Sequence, residues 1–189
     1  MSQTSVSAAG QGNAIAGQLA DVSEPHDVVS GVNEATPQIP FGYGLRDGTN
    51  ERGYILATGF SGVVPVKGVA LHGLNHVAAG PADPNGNFQG DLGGSGLLQY
   101  ASLDVLRKGP VWLPVENTIT KGMRGWCRGV ATGAQGVGVW AGAAYDAAGP
   151  LGASYHVDCT KQVEFRSASI TSADGTTVIA LADVDFLNK

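Results

Sequence analysis

Apolar positions along this chain tend to recur at every second residue, in short runs broken by glycine and proline. The clearest run lies near the C-terminus. Val178, Ala180, Ala182, Val184 and Phe186 share one face of an extended segment, and Val163-Glu-Phe-Arg166 alternates before it. With Ser172-Ala-Asp-Gly175 as the turn, residues 162–187 predict a β-hairpin. Val111, Leu113 and Val115 predict a strand, preceded by strand-like Leu97–Tyr100 and Asp104–Arg107 and by a Lys108-Gly109-Pro110 turn. Phe41–Leu45 and Gly53–Thr58 flank a turn-rich loop around Asp47-Gly48. Val-rich Gly62–Leu71 carries Pro65, which suits an edge strand or a bulge. Met123–Arg128, with Trp126 as an anchor, and Gly136–Ala143 complete the set. No helical face runs longer than about three turns, and no fixed-period repeat appears. The fold class expected is all-β, a single β-barrel or β-sandwich of short strands.

Residues 1–40 break this pattern. Residues 1–14 are small and polar, and Pro25, Pro37 and Pro40 each disfavour helix at the residue before them. The division expected is an extended N-terminal arm over 1–40 and a β-rich domain over 41–189, with glycine-rich surface loops at 79–96 and 131–154. The isolated apolar residues Ile15, Leu19, Ile39 and Phe41 suit an arm that adds strands or anchors to a neighbour.

Composition narrows the function. Hydrophobic residues make up 43%, too many for wholesale disorder, and 29 of the 189 residues are glycine without a G-X-Y period, which excludes collagen. Net charge is −5, with no Lys or Arg in residues 1–45 but Asp21, Glu24, Asp27 and Glu34 there. Arg107, Lys108, Lys121, Arg124 and Arg128 stand against the single acid Glu116, which reads as a locally cationic, solvated face. So acidic a total argues against nucleic acid as a partner. No run approaches the roughly 18 apolar residues of a membrane span, and the first 20 residues lack the pattern of a secretory leader. Cys127 and Cys159 read as two reduced thiols of a cytoplasmic product, with pairing left open.

Candidate chemistry is thin. No GxSxG elbow is present; Gly59-Phe-Ser61-Gly62 has only part of that frame. His72 and His76 have i, i+4 spacing, but Gly-Leu-Asn between them disfavours helix, and the Glu of HExxH is missing. On a strand those two would stand about 13 Å apart, too far to share one ion. Gly93-Gly-Ser-Gly96 lacks the Lys-Ser/Thr ending of a phosphate loop, and Asp83–Asn87 lacks the acids of a calcium loop. The reading is a non-enzyme without metal or cofactor, built for contact.

The order of segments resembles the structural cement proteins of tailed-bacteriophage capsids. The stretches that carry the resemblance are Ala16-Gly-Gln-Leu-Ala-Asp21, Gln38-Ile-Pro-Phe-Gly42, Gly68-Val-Ala-Leu71, the run Val105–Glu116, Thr120-Lys-Gly122 and Gly125-Trp-Cys-Arg128. It covers residue 15 to the C-terminus, with the insertions at 79–96 and 131–154 as additional loops on the head surface. The resemblance implies a capsid decoration protein, made in the bacterial host cytoplasm, that binds the outer surface of an assembled head. It would stabilise that head by bridging neighbouring major capsid subunits. It also implies self-association, a homotrimer favoured over a dimer. Ile15, Leu19, Ile39, Phe41, Arg107, Trp112 and Trp126 are the interface residues expected. The alternatives are another virion part (tail or head-completion), or a carbohydrate-binding module that stacks sugars on Trp112, Trp126 and Trp140.

Overall fold

The computed structural model describes residues 14–20, 24–35, 38–59, 65–72, 97, 99–131, 136–142, 155–173 and 175–187. The loop expected at 79–96, most of the one at 131–154, and His76 fall outside them. Strands account for the regular structure: β1 (Asp27–Asn33), β2 (Gly44–Asp47), β3 (Gly53–Leu56), β4 (Gly68–Ala70) and β5 (Ser102–Pro114) come first. β6 (Trp126–Arg128), β7 (Trp140–Ala141), β8 (His156–Asp158), β9 (Val163–Phe165), β10 (Ile170–Thr171) and β11 (Val178–Asp185) follow. The fold is all-β, as the alternation predicts.

Five strands close a barrel in the order β1-β3-β2-β4-β5, with β5 returning to β1. β1 and β3 run parallel, and the other barrel pairs are antiparallel. The far half of β5 leaves the barrel and pairs with β11, which in turn carries β10 and β9. β7, β6 and β8 form a separate three-stranded sheet. The predicted C-terminal hairpin is present, with Ile170 opposite Ile179 and Phe165 opposite Ala182.

β5 corrects the sequence reading. No turn forms at Lys108-Gly109-Pro110, and one strand of 13 residues runs through it. Its near half sends Leu103 and Val105 into the barrel core beside Ile39, Phe41 and Leu45, while Leu106 packs into a second core outside the barrel. Beyond the bend, Val111, Leu113 and Val115 enter that second core. An even-numbered residue and three odd-numbered ones on the same side mean that the alternation slips once between them. Gly109 absorbs the slip at φ 135°, a conformation that side chains rarely adopt, and the register opposite it shifts between Asp27 and Val28. Pro110 has no N–H to offer, but its carbonyl accepts from the Ala20 N–H at 3.2 Å. The Gly-Pro pair thus bends the strand without reversing it, and one strand serves two cores. A fully buried leucine or isoleucine in either core contributes about 1.5–3 kcal/mol.

The N-terminal segment is held within the chain. Leu19 bridges to Val111, the Gly17 N–H donates to the Trp112 carbonyl at 2.7 Å, and the Trp112 N–H donates to Gln18 at 3.0 Å. Residues 14–20 therefore cover the edge of β5 opposite β11. Gly17 and Gly42, at φ 77° and 79°, meet here; a Cβ on Gly17 would stand 2.7 Å from the Gly42 nitrogen. Ala14 packs with Trp112 and Ile179. Further along the segment read as an arm, residues 27–33 are β1, the strand that closes the barrel.

Candidate functional site

The seven residues expected at an interface divide by burial. Ile39 and Phe41 lie in the barrel core, and Trp112 packs against Ala14 and Ile179; all three are buried. They serve the chain's own core. Ile15, Leu19 and Trp126 are half-buried. The Arg107 Nε donates to Asp27 Oδ2 at 2.6 Å, with both side chains more than a third exposed or nearly so, at 38% and 34%. Sequence gave no sign of which apolar residues of residues 1–40 turn inward, because that depends on partners far along the chain. Trp140 is also buried, its indole N–H donating to the Gly42 carbonyl at 2.9 Å. With Trp112 and Trp140 inside, the three tryptophans do not form the aromatic face that the carbohydrate reading requires.

The outward face of β5, β11 and β9 is laced with ion pairs. Lys108 meets Asp185 at 3.1 Å, Arg124 meets Glu164 at 2.7 Å, and Arg166 stands between Glu24 at 2.9 Å and Asp183. These side chains border a shallow groove of about 350 Å³, with Lys161 also on its lining. Burial pushes the Asp183 carboxyl up, and Arg166 only partly offsets it. The basic stretch 107–128 is therefore not one solvated face. Arg107, Lys108 and Arg124 each hold an acid from another part of the chain, and Arg128 is buried. The acids of the N-terminal segment are engaged within the protomer too, Glu24 by Arg166 and Asp27 by Arg107.

A second ionic group lies inside. The Arg128 guanidinium donates to both oxygens of Glu116, from Nε to Oε2 at 2.6 Å and from Nη2 to Oε1 at 3.1 Å. His156 Nε2 lies 2.5 Å from Glu116 Oε1. None of the three side chains is more than 1% exposed. Glu116 follows the end of β5, while Arg128 and His156 face each other across β6 and β8, so the cluster ties the three-stranded sheet to the shared strand. Sealed from solvent, it holds structure together and offers no surface to a substrate. The sequence reading counted Arg128 among the charges of a solvated face, and the structure buries it. The one available signal was Glu116 itself, a lone acid amid cations.

Cys127 and Cys159 are free and buried. Desolvation pushes the Cys127 thiol well up and the Cys159 thiol to about 12, so neither supplies a thiolate nucleophile at neutral pH. The His72 ring packs edge-on against Phe41, centroids 4.6 Å apart. Among the described residues, no group of three or more His, Cys, Asp or Glu could hold a metal ion.

Glu34, just past β1, takes a different role. Its carboxylate accepts from the Thr49 and Asn50 N–H groups at 2.7 and 3.0 Å, and from their side chains at 2.9 and 2.5 Å. Led by the Thr49 N–H, these donors hold the carboxyl down at about 2. The loop between β2 and β3 is clamped by this one side chain. Among the described residues, these charged and polar side chains are engaged in holding loops and sheets in shape.

Comparison with known proteins agrees with that character. A family model described as "Structural cement protein (E217 gp24/Pam3 gp6)" matches residues 2–182. Among solved structures, a chain of "The capsid of Myoviridae Phage XM1" superposes with a TM-score of 0.59 at 12% identity, covering 92% of this chain and 91% of that one. At that identity the likeness is one of fold. No curated protein sequence matches the chain.

Proposed function

The chain belongs to the structural cement protein family, and on that premise we propose that it binds the outside of an assembled tailed-phage head and bridges neighbouring major capsid subunits, as a homotrimer. The coarser statement, a capsid-associated structural protein, follows from the family itself. The observation that carries the finer reading is the span of the match, 2–182, which includes the barrel core, nearly all of the second core, the bent β5 and the docked N-terminal segment. The likeness of fold to a chain of a phage capsid supports it.

The mechanism is thermodynamic linkage. A protein that binds only the assembled shell stabilises that shell by about 2.7 kcal/mol per site at a hundredfold excess over its dissociation constant. Attachment at several points of a symmetric oligomer multiplies weak contacts. Since several of the described acids and bases are paired with one another within the chain, apolar contact should dominate and binding should survive moderate salt. Heads lacking the protein should assemble, yet rupture at lower temperature or on milder osmotic shock, and adding the protein back should restore them. Identical rupture of bare and decorated heads would remove the cement mechanism.

A further inference from the structure

We propose that residues 14–20 are an exchangeable strand, passed from one copy of this chain to the edge of β5 in a second copy, and that this exchange links the oligomer. The proposal deepens the self-association read above and rests on it.

The edge of β5 fixes what can lie along it. Ala14, Ala16 and Ala20 form one apolar cluster with Trp112, Ile170, Ile179 and Leu181. Between those alanines Gly17 passes so close to its surroundings that a Cβ would stand 2.7 Å from the Gly42 nitrogen and 2.9 Å from the Ala70 carbonyl oxygen. The occupant therefore needs a glycine at φ 77°, set among small side chains. A strand with a side chain at every position would clash there. Residues 14–20 meet the requirement, and a second copy of the chain brings the same residues.

The path of the chain supplies the means. Residues 14–20 and β1 follow one and the same edge of β5, both antiparallel to it. Asp27 is opposite Lys108, which pairs on its other side with Asp185 of β11, and Leu19 is opposite Val111 on the edge away from β11. Leu19 and Asp27 are eight positions apart in sequence, while their partners Val111 and Lys108 are three apart, so five residues are surplus. Drawn straight, those eight steps would span about 26 Å, enough to carry the segment off its own edge. The root stays anchored meanwhile, because Arg166 holds Glu24, Arg107 holds Asp27, and His26 lies against Gly109. The link also carries Pro25, whose missing N–H and fixed φ suit extended chain.

The hold beyond that link is one that a second copy reproduces. It consists of the apolar cluster and of backbone hydrogen bonds to Pro110, Trp112, His72 and Ala173. Every one of these re-forms when the segment arrives from a neighbour, so exchange conserves the contacts and lets concentration decide between closed and exchanged forms. Main-chain pairing along an otherwise open strand edge supplies the attachment, and the glycine at 17 supplies its specificity. Passed in one direction round three copies, the exchange closes a ring.

The test mixes two full-length chains, one carrying Leu19→Cys and the other Val111→Cys, refolds them together and oxidises them with oxidised glutathione. Exchange predicts a disulfide between the two different chains, mapped to positions 19 and 111 by mass spectrometry. Gly17→Val, which blocks the seat without removing any chain, should leave a monomer by light scattering at concentrations where wild type self-associates. Deleting residues 1–23, which keeps β1 and Glu24, should do the same. If wild type self-associates but the mixed chains do not crosslink, while a single chain carrying both cysteines closes on itself, exchange is overturned and the oligomer stands. Self-association of the deletion variant as strong as that of wild type would overturn exchange as well. If wild type stays monomeric at every concentration and on the head, both readings fall.

Discussion

The molecule keeps two kinds of ionic group, and they do opposite work. Glu116, Arg128 and His156 are sealed between sheets, each hydrogen-bonded at short range. Lys108–Asp185, Arg124–Glu164 and Glu24–Arg166–Asp183 lie on an open face, where water and salt screen them. The buried charges were costly to desolvate, so each depends on its partner, and removing one strands the others. The exposed pairs lose little when broken. Counting ion pairs would rank the open face first, and burial reverses that order.

The largest expected effect tests the buried side. Glu116→Ala should destabilise the fold by about 3–5 kcal/mol, read from denaturant titration, because it leaves a guanidinium buried without its carboxylate. Replacing Glu116, Arg128 and His156 together by apolar side chains of similar size should recover much of that loss. A loss below about 1 kcal/mol for Glu116→Ala would place it with the exposed pairs and break the comparison.

Next in size is the N-terminal segment, which carries both apolar contacts and an ion pair. Deleting residues 1–23 removes Ala14, Leu19 and the edge hydrogen bonds while keeping Glu24. It should cost about 1–3 kcal/mol, more than Glu24→Ala does. Deleting residues 1–40 should instead prevent folding, since β1 goes with them.

Glu34 sharpens the comparison from a third position, exposed yet saturated by four neutral donors. Its folded carboxyl titrates near 2, below the ordinary value of about 4.3 for an unfolded chain. A depressed carboxyl stabilises above the unfolded value and loses that contribution as pH falls through the folded one. Wild type should therefore exceed Glu34→Gln in stability at pH 6, and the gap should close between about pH 4.3 and about pH 2. A gap independent of pH would mean that shape, not charge, clamps the loop.

The smallest effect is on the open face. A double-mutant cycle on Glu24 and Arg166 should give a coupling of about 0–1 kcal/mol, fading with added salt. A larger coupling that ignores salt would show that this face is drier than its exposure implies.

What sequence made legible was local. Alternation from Val178 to Phe186 identified the last strand, and Ala180, Ala182 and Val184 are buried as that pattern requires, but Val178 at its start is exposed and Ile179 beside it is buried. The order of short segments from Ala16 to Arg128 pointed to the right family. What it hid was pairing at a distance. Lys108-Gly109-Pro110 carries every local mark of a turn, yet β1 and β4 before it, and β11 and the N-terminal segment after it, hold the strand continuous. Glu116 and His156 are 40 positions apart, and nothing at either end announces the other. Nothing in the sequence around Gly17 and Gly42 announces that their two backbones meet.

The closing of the barrel by β1 and β5 also sets a clock. Val32 pairs with Ser102, a residue that leaves the ribosome 70 positions later. At about 5–20 residues per second, β1 waits roughly 4–14 s for its partner. During that interval it is an unpaired edge that carries Val28 and Val32, the kind of strand that recruits strangers. The far half of β5 waits again for β11, near the end of the chain. The barrel core can close once Val105 has emerged, whereas the second core waits for β11, so the two cores are completed in sequence order.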